Sequence, residues 1–390
     1  MTDHLQTLDL SQVYLEIDET TQQRAWQQSQ TLATPASRWR AYLNQLALDA
    51  VIPWLATESG YGRALPSPKS ALLPTIWELV TGAAVEVGPL RFVILPTETI
   101  DLEAMAIPQE WLDIPQWVGD YYLTLQVNVD EGWLRVSQFA THAQIKARAN
   151  YDWRDRTYHL DASDAIGDLN VLWVSHDLYP EDVKRAAVAP LPALSQAQAQ
   201  NLIQRLGQAD ATPLPRLAIP SDQWGALMAH GGWRRQLAET RWGRPTQGLV
   251  GDWISAQIDR LSQQVGWQSV VFQAATAGAR SSATAAPSTA LVRQITLAGG
   301  EYLLQIYPLP DQGDRAWRFE LRSALPAGQV PAGFSLTLLT EDLQAFEGNT
   351  VTAPEATESL SIDLDLAPGE GIVWQTDPVS EQYDAEILWF

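Results

Sequence analysis

Apolar residues follow a helical period near the start of the chain. Thr34 and Pro35 have the residue types of a helix N-cap and first turn. From Trp39 to Leu55 the apolar residues then recur every three or four positions, which is the spacing of one buried helix face. We therefore predict a helix here, preceded by a weaker one over residues 18–32.

The apolar period then changes from helical to twofold. Between Tyr121 and Phe139, apolar and polar residues alternate on both sides of Asp130-Glu131-Gly132. Such alternation indicates strands with one face in a core, and the tripeptide is typical of a hairpin turn. Helices followed by a strand meander predict an α+β domain over residues 1–185.

Residues 186–266 predict a helical connector. Ser195 has the type of an N-cap before apolar residues at helical spacing. A second short helix is expected from Ser221, closed by Gly231 and Gly232. The proline-rich stretch 212–220 predicts a stiff spacer, and a helical stripe over 249–265 completes the connector.

The last third of the chain consists of short alternating segments. Trp317–Leu321 and two later segments alternate apolar and polar residues without interruption, which places one strand face in a core and the other in water. About six or seven such strands fit an antiparallel β-sandwich of immunoglobulin-like size, predicted over 267–390 with a mobile loop near 276–289. The predicted fold class is therefore α+β multidomain, with a helical and β N-terminal domain, a helical connector and a C-terminal sandwich.

The charge balance excludes several functions. The chain has 46 acidic and 25 basic residues, a net charge of −21, which disfavours binding to nucleic acid or anionic lipid. Residues 323–390 contain 12 acidic residues and no Lys or Arg, so that part of the surface carries a field of one sign. The N-terminus lacks a secretory signal and no apolar run reaches membrane-spanning length. We expect a cytoplasmic protein.

The motifs of common enzymes are not found in the sequence. There is no nucleophile elbow, phosphate-binding loop or dinucleotide fingerprint, and no cysteine. The five histidines never have the spacing of zinc ligands. His159, Asp161 and Ser163 have the types of an acid/base group, but we favour a turn or cap for them. We therefore expect no catalytic residue, cofactor or metal ion.

The segment 230–244 combines arginine and tryptophan in an otherwise acidic chain. Such a composition is enriched at binding hot spots. In one interpretation these residues form an internal interface with the acidic parts of the chain; in the other they form an exposed site for an anionic or aromatic partner. The candidate partner or ligand contacts are Trp233, Arg234, Arg235, Arg241, Trp242 and Arg244.

The other candidate surfaces are acidic or aromatic. Asp363 and Asp365 project from one strand face and are the candidate acidic docking face, since two carboxylates supply only part of a calcium shell. The chain has 17 tryptophans, which also suggests a carbohydrate-binding sandwich. Most tryptophans on apolar stripes are expected in the core instead, namely Trp39, Trp54, Trp253, Trp317 and Trp374, which leaves Trp153 and Trp242 as candidate platforms.

The chain resembles the cyanobacterial domain-of-unknown-function family 1822. The resemblance rests on Gln223–Leu227 followed by Gly232-Trp233, and in the sandwich on Ile306–Pro308, Val330–Leu339 and Leu366–Glu370. It implies a helical N-terminal half that leads to a small β-region, then the mid-chain segment and a C-terminal sandwich, and it assigns no catalytic residues. The family's association with sigma factors and caspase-like peptidase domains implies a regulatory binding role.

These features together lead to a functional expectation. We expect a non-catalytic, cytoplasmic protein-interaction module whose acidic sandwich docks a basic protein partner, such as a transcription- or peptidase-linked regulator. One alternative is an enzyme or small-ligand binder with an interdomain pocket near 230–244. The other is the carbohydrate-binding sandwich.

Overall fold

A computed structural model describes residues 13–178, 181–244, 250, 266–272, 288–313, 315–381 and 383–390. The chain forms two compact units, unit 1 (1–244) and unit 2 (245–390), so the residues predicted as a connector are divided between them. The predicted helix at 249–265 lies outside the described residues except for Val250. Most of the predicted loop at 276–289 also lies outside them, and its last two residues begin a strand.

Helices and strands are interspersed along most of unit 1, and its last elements are helices. The helices are α1 (Glu19–Ser29), α2 (Pro35–Glu58), α3 (Leu73–Trp77), α4 (Glu110–Asp113), α5 (His142–Arg148), α6 (Asn170–Leu178), α7 (Gln196–Leu206), α8 (Ser221–Ala229) and α9 (Gly231–Arg241). The strands are β1 (Val13–Glu16), β2 (Leu65–Ser67), β3 (Ala83–Val87), β4 (Leu90–Thr97), β5 (Ala104–Pro108), β6 (Tyr121–Asn128), β7 (Trp133–Thr141), β8 (Asn150–Asp152) and β9 (Thr157–Asp161).

The described residues of unit 1 form two sheets. The larger has the order β1-β7-β6-β4-β3-β2 and the smaller β5-β9-β8. All pairs are antiparallel except β4 with β6. The predicted hairpin is confirmed as β6–β7, and Gly132 in its turn has a φ of 68°, a conformation that favours glycine.

The helix predicted from Thr34 is confirmed as α2. Thr34 accepts a hydrogen bond from the Ser37 amide and Ser37 reciprocates, a capping box that satisfies two free backbone donors. The apolar stripe buries Leu46, Val51 and Leu55 completely, and each such side chain contributes about 2 kcal/mol of hydrophobic free energy. Helix α2 therefore supplies much of the core beside the larger sheet.

The described residues of unit 2 form two antiparallel sheets. Its strands are β10 (Trp267–Phe272), β11 (Ser288–Leu297), β12 (Gly300–Pro308), β13 (Ala316–Ser323), β14 (Ser335–Thr340), β15 (Thr350–Thr352), β16 (Ser359–Asp365), β17 (Gly371–Asp377) and β18 (Leu388–Trp389). The five-stranded sheet has the order β10-β11-β12-β13-β16 and the four-stranded sheet β15-β14-β17-β18.

The predicted alternation of apolar and polar residues gives each sheet of unit 2 a buried face. Phe319 and Leu321 of the five-stranded sheet and Leu336 and Leu338 of the four-stranded sheet are fully buried. The ring of Phe390 lies 5.7 Å from that of Phe319. This two-sheet arrangement and the mixed unit 1 confirm the predicted α+β fold class. Within the described part of the chain, no helix combines the length and apolar character needed to cross a bilayer.

Candidate functional site

The arginine- and tryptophan-rich segment forms helix α9, which the sequence analysis missed. Gly231 and Gly232 were expected to end α8, but Gly231 begins α9. The His230 imidazole is the reason: its Nδ1 accepts a hydrogen bond from the Trp233 amide, and its ring stacks on the indole at 4.1 Å. The His230 side chain thus caps the start of a new helix at the position where the two glycines had suggested the end of helical structure.

Arg241 is buried against a carboxylate from the first half of unit 1. Its Nε lies 3.1 Å from Oε1 of Glu78, and both side chains are essentially inaccessible to solvent. The other oxygen of Glu78 accepts hydrogen bonds from the Trp242 indole at 3.0 Å and from the Ala33 amide at 3.0 Å. Arg241 Nη1 donates to the carbonyls of Leu206 and Thr212. The network joins α9 to the end of α3.

The other predicted contact residues lie in different surroundings. Arg234 is 1 % exposed and donates to the Met228 carbonyl at 2.7 Å. Trp233 is also buried. Arg235 pairs with Glu239 one turn later on α9.

Arg244 is exposed and lies over the half-buried Trp242 ring at 5.0 Å. Trp233, Arg234 and Arg241 are thus part of the interior of unit 1, as in the internal-interface interpretation, and offer no surface to a partner.

Glu110 forms a second buried cluster of the same composition. Arg216 donates to it through Nε at 2.9 Å and Nη2 at 2.7 Å, and the Trp224 indole donates at 2.7 Å. Glu110 also lines a cleft of about 50 Å³ with Asp113 and Asp222. Sites for small molecules are usually about 300–1,000 Å³, so this cleft has room for only a few water molecules.

Asp113 beside this cleft is saturated by neighbouring donors. Lys146 Nζ lies 2.7 Å from its Oδ1, and the Tyr158 hydroxyl and the Gln109 amide bond to Oδ2. Burial alone would lower the pKa of Lys146, but its bonds to Asp113 and Tyr158 outweigh burial and raise it. Burial raises the pKa of Tyr158. Both donors therefore stay protonated near neutral pH, whereas a general base needs a pKa near the working pH.

A third cluster of this composition lies inside unit 2. The buried Glu386 accepts hydrogen bonds from the Trp267 indole at 3.1 Å and the Trp374 indole at 2.8 Å, and it pairs with Arg293. The Arg293 guanidinium also lies over the Trp374 ring at 5.3 Å. Because Arg293 is on the five-stranded sheet and Trp374 on the four-stranded one, the cluster connects the two sheets.

The three clusters account for part of the tryptophan content. Each contains a buried glutamate, an arginine and at least one indole N–H donor, which a buried carboxylate needs in place of water. None of the three glutamates was singled out from the sequence. A signal was present, since Glu78, Glu110 and Glu386 are each followed immediately by an apolar residue. Most of their partners are distant in sequence, so the sequence did not show which side chains they contact.

The predicted acidic docking residues are paired within unit 2. Asp363 accepts two hydrogen bonds from Arg318, at 2.6 and 2.7 Å, and these bonds lower its pKa. Asp365 lies 3.0 Å from Arg315, and both side chains are more than half exposed. Asp363, Asp365 and Arg315 line an open groove of about 460 Å³. Arginine thus offsets the charge of the predicted face.

The remaining predictions concern the acid/base group, a metal site and the tryptophans. Asp161 accepts hydrogen bonds from the amide and the hydroxyl of Ser163. These are the bonds of a turn, the interpretation that we favoured over acid/base chemistry. Among the described residues, no group of three or more histidine and acidic side chains is placed to hold a metal ion. Trp153 is 73 % exposed. Trp39 was expected in the core but is 38 % exposed, because it lies at the first turns of α2, at the margin of the buried stripe.

Comparison with known proteins identifies the family. A family model described as protein of unknown function DUF1822 matches residues 15–389, nearly the whole chain. No curated protein and no solved structure matches the chain. The chain belongs to the DUF1822 family, as the resemblance in its sequence indicated.

Proposed function

We propose that this protein is a non-catalytic interaction module that docks a basic protein partner through its acidic sandwich. The observation that carries the proposal is the run of 12 acidic residues without Lys or Arg over 323–390. Asp363, Asp365 and Glu386 of this run are paired with arginines. Five others are exposed, and we call them the acidic rim: Glu347, Glu355, Glu358, Glu370 and Asp377.

Strand register places the acidic rim around the four-stranded sheet. The last residues of β15 and β17 lie level with the first residue of β14, so Glu355, Glu358 and Asp377 leave the sheet at one end. Glu347 and Glu370 precede β15 and β17 and therefore lie at the opposite end. Carboxylates around one sheet with no cation in the same stretch of chain attract a positively charged surface and accelerate its association.

Unit 1 favours a binding role over catalysis. The titratable cluster around Glu110 and Asp113 is saturated by its own donors and borders only a small cleft. Arg241, which lies in the segment where the enzyme alternative expected a pocket, is used inside the fold. In unit 2, Trp267 and Trp374 are buried, which counts against a sugar-stacking surface. A cytoplasmic location and a regulatory role, with a transcription- or peptidase-linked partner, are part of the same proposal.

The test compares two variants with equal charge. In the rim variant, Glu347, Glu355 and Glu370 become Gln and Asp377 becomes Asn. In the control variant, the same four negative charges are removed from exposed positions of unit 1: Glu19→Gln, Glu58→Gln, Asp130→Asn and Asp210→Asn. Each full-length protein is immobilised and exposed to lysate of cells that contain the protein naturally, at about 0.02 M and about 0.15 M salt, which spans strong and physiological screening.

We expect wild type and the control variant to retain the same stoichiometric basic protein, more strongly at low salt, and the rim variant to lose it. The electrostatic proposal is wrong if the retained protein is not basic, or if the rim and control variants retain it equally. It is also wrong if wild type retains no stoichiometric protein.

A further inference from the structure

Two half-exposed tryptophans lie side by side where α1 meets α2. Trp26 and Trp39 are 44 % and 38 % exposed. Their ring centroids are 6.3 Å apart and their planes meet at 71°. The buried Tyr42 packs against both, at 5.5 Å from Trp26 and 5.3 Å from Trp39. Unit 1 therefore presents a corner of two indole surfaces, which we call the aromatic corner.

A carboxylate touches the edge of this corner. The Trp39 indole nitrogen donates to Glu98 Oε2 at 2.7 Å. Glu98 is exposed in the loop between β4 and β5, which also carries the exposed residues Asp101 and Glu103. The Leu102 carbonyl accepts a hydrogen bond from a side chain of β7, so the loop is attached to the sheet. Glu98 thereby holds a negative charge at the Trp39 edge of the aromatic corner.

This combination selects for a cationic ligand. The face of an indole ring attracts cations through its quadrupole, and a carboxylate within reach adds Coulomb attraction. The same carboxylates would repel an anion, and a purely apolar ligand would not need them.

Elsewhere in the protein, an arginine or lysine of the chain lies over an aromatic ring that has a carboxylate beside it. Arg293 lies over Trp374 beside Glu386, and Lys146 lies over Tyr158 beside Asp113. Among the residues that the structure describes, no Lys or Arg lies over Trp26 or Trp39 in this way.

We propose that the aromatic corner binds an arginine-bearing segment of the basic partner. The inference relies on the proposed function for the positive charge of that partner, but it concerns a different unit and different residues. Arginine fits better than lysine, because its planar guanidinium stacks on indole and forms paired hydrogen bonds with a carboxylate such as Glu98. The partner would therefore contact the protein at the aromatic corner in addition to the acidic rim.

The test is a titration of the full-length protein with a capped, alternating Gly-Arg octapeptide. Binding is measured by calorimetry for wild type and for Trp26→Leu, Trp39→Leu, Trp39→Phe and Glu98→Gln. Trp153→Leu is the matched control, because this indole is more exposed and already has Arg154 over its ring at 5.8 Å. Thermal unfolding of every variant verifies that it folds, and Gly-Lys peptide of equal charge tests the choice of cation.

We expect Trp26→Leu and Trp39→Leu each to raise the Kd about 3- to 10-fold, the range that exposed cation–π contacts support. Trp39→Phe should recover part of this loss because it restores an aromatic face. Glu98→Gln should weaken binding chiefly at low salt. Trp153→Leu should bind like wild type, and the lysine peptide should bind more weakly than the arginine peptide.

Two results would overturn the inference: no binding of the arginine peptide to wild type, or equal binding by wild type and both tryptophan variants. The rim variant separates this inference from the proposed function. If only the rim variant loses the peptide, the aromatic corner is wrong and the acidic sandwich remains. If only the corner variants lose it, the corner remains while the electrostatic role of the sandwich fails in this assay.

Discussion

Removal of the Glu78 carboxylate tests the buried network of unit 1 most directly. The Glu78→Ala change leaves the guanidinium of Arg241 without its carboxylate partner in a site that is 1 % exposed. The change also removes the acceptor of the Trp242 indole and of the Ala33 amide. Loss of one partner of a buried ion pair costs about 3–5 kcal/mol, which is a large share of the roughly 5–15 kcal/mol that stabilises a typical domain.

Two further variants separate charge from shape. Glu78→Gln keeps the size and one carbonyl acceptor, so we expect a smaller cost of about 1.5–3 kcal/mol, the contribution of hydrogen bonds to a charged group. Glu78→Leu combined with Arg241→Met removes both charges and fills the space with apolar atoms. Such replacements are often neutral or stabilising, so the double variant should be more stable than Glu78→Ala.

The assay is urea unfolding of the full chain followed by circular dichroism and fluorescence. Glu386→Ala, which breaks the corresponding pair with Arg293 in unit 2, serves to assign the transitions of the two units. Glu386→Ala should lower the urea midpoint of the transition of unit 2. The Glu78 variants should lower the midpoint of the other transition, which belongs to unit 1. This account of the buried pair is refuted if Glu78→Ala lies within about 1 kcal/mol of wild type, or if the double variant is less stable than Glu78→Ala.

Three smaller predictions concern other parts of the fold. Burial lowers the pKa of His142 below 6.5, so its contribution to stability is complete above pH 6.5 and is lost as the pH falls; urea midpoints should drop on acidification, and less so in His142→Gln. Asp363→Asn should cost under about 1 kcal/mol, since its ion pair is partly solvated; a larger loss of thermal stability would contradict this. Gly82→Ala should cost about 3 kcal/mol in urea unfolding, because Gly82 has a φ of +107° and a Cβ would lie 2.5 Å from the Trp111 ring nitrogen. Gly62→Ala has a positive φ but open space and should cost only about 1 kcal/mol.

Local patterns predicted the regular elements well where one face is buried. The stripe of α2, the β6–β7 hairpin and the alternation of Phe319 and Leu321 all follow from the period of apolar residues. Helix α9 was missed because its N-cap is the imidazole of His230, whereas two glycines at its start suggested a stop. Trp39 was misplaced because periodicity gives the direction of a side chain but not how far the neighbouring elements extend over it.

Candidate chemistry was harder to predict than the fold. The segment 230–244 was correctly singled out as unusual in composition, but composition does not show that Arg241 finds Glu78, which is 163 positions earlier. Asp363 was correctly placed on an outward strand face, yet only the register of β13 with β16 brings Arg318 directly opposite it. The aromatic corner joins Trp26 to Trp39 and to Glu98, residues from three separate elements.

The amino-acid sequence alone determined the periodicity of the elements, the α+β class and the excess of negative charge, because each depends on residues that are near one another in the chain or on a simple sum. Only the tertiary structure decided which charges are neutralised and which tryptophans reach the surface. Ion pairing and burial depend on contacts between residues far apart in sequence, and the free energy of a charge changes with the partner and the solvent that folding places beside it.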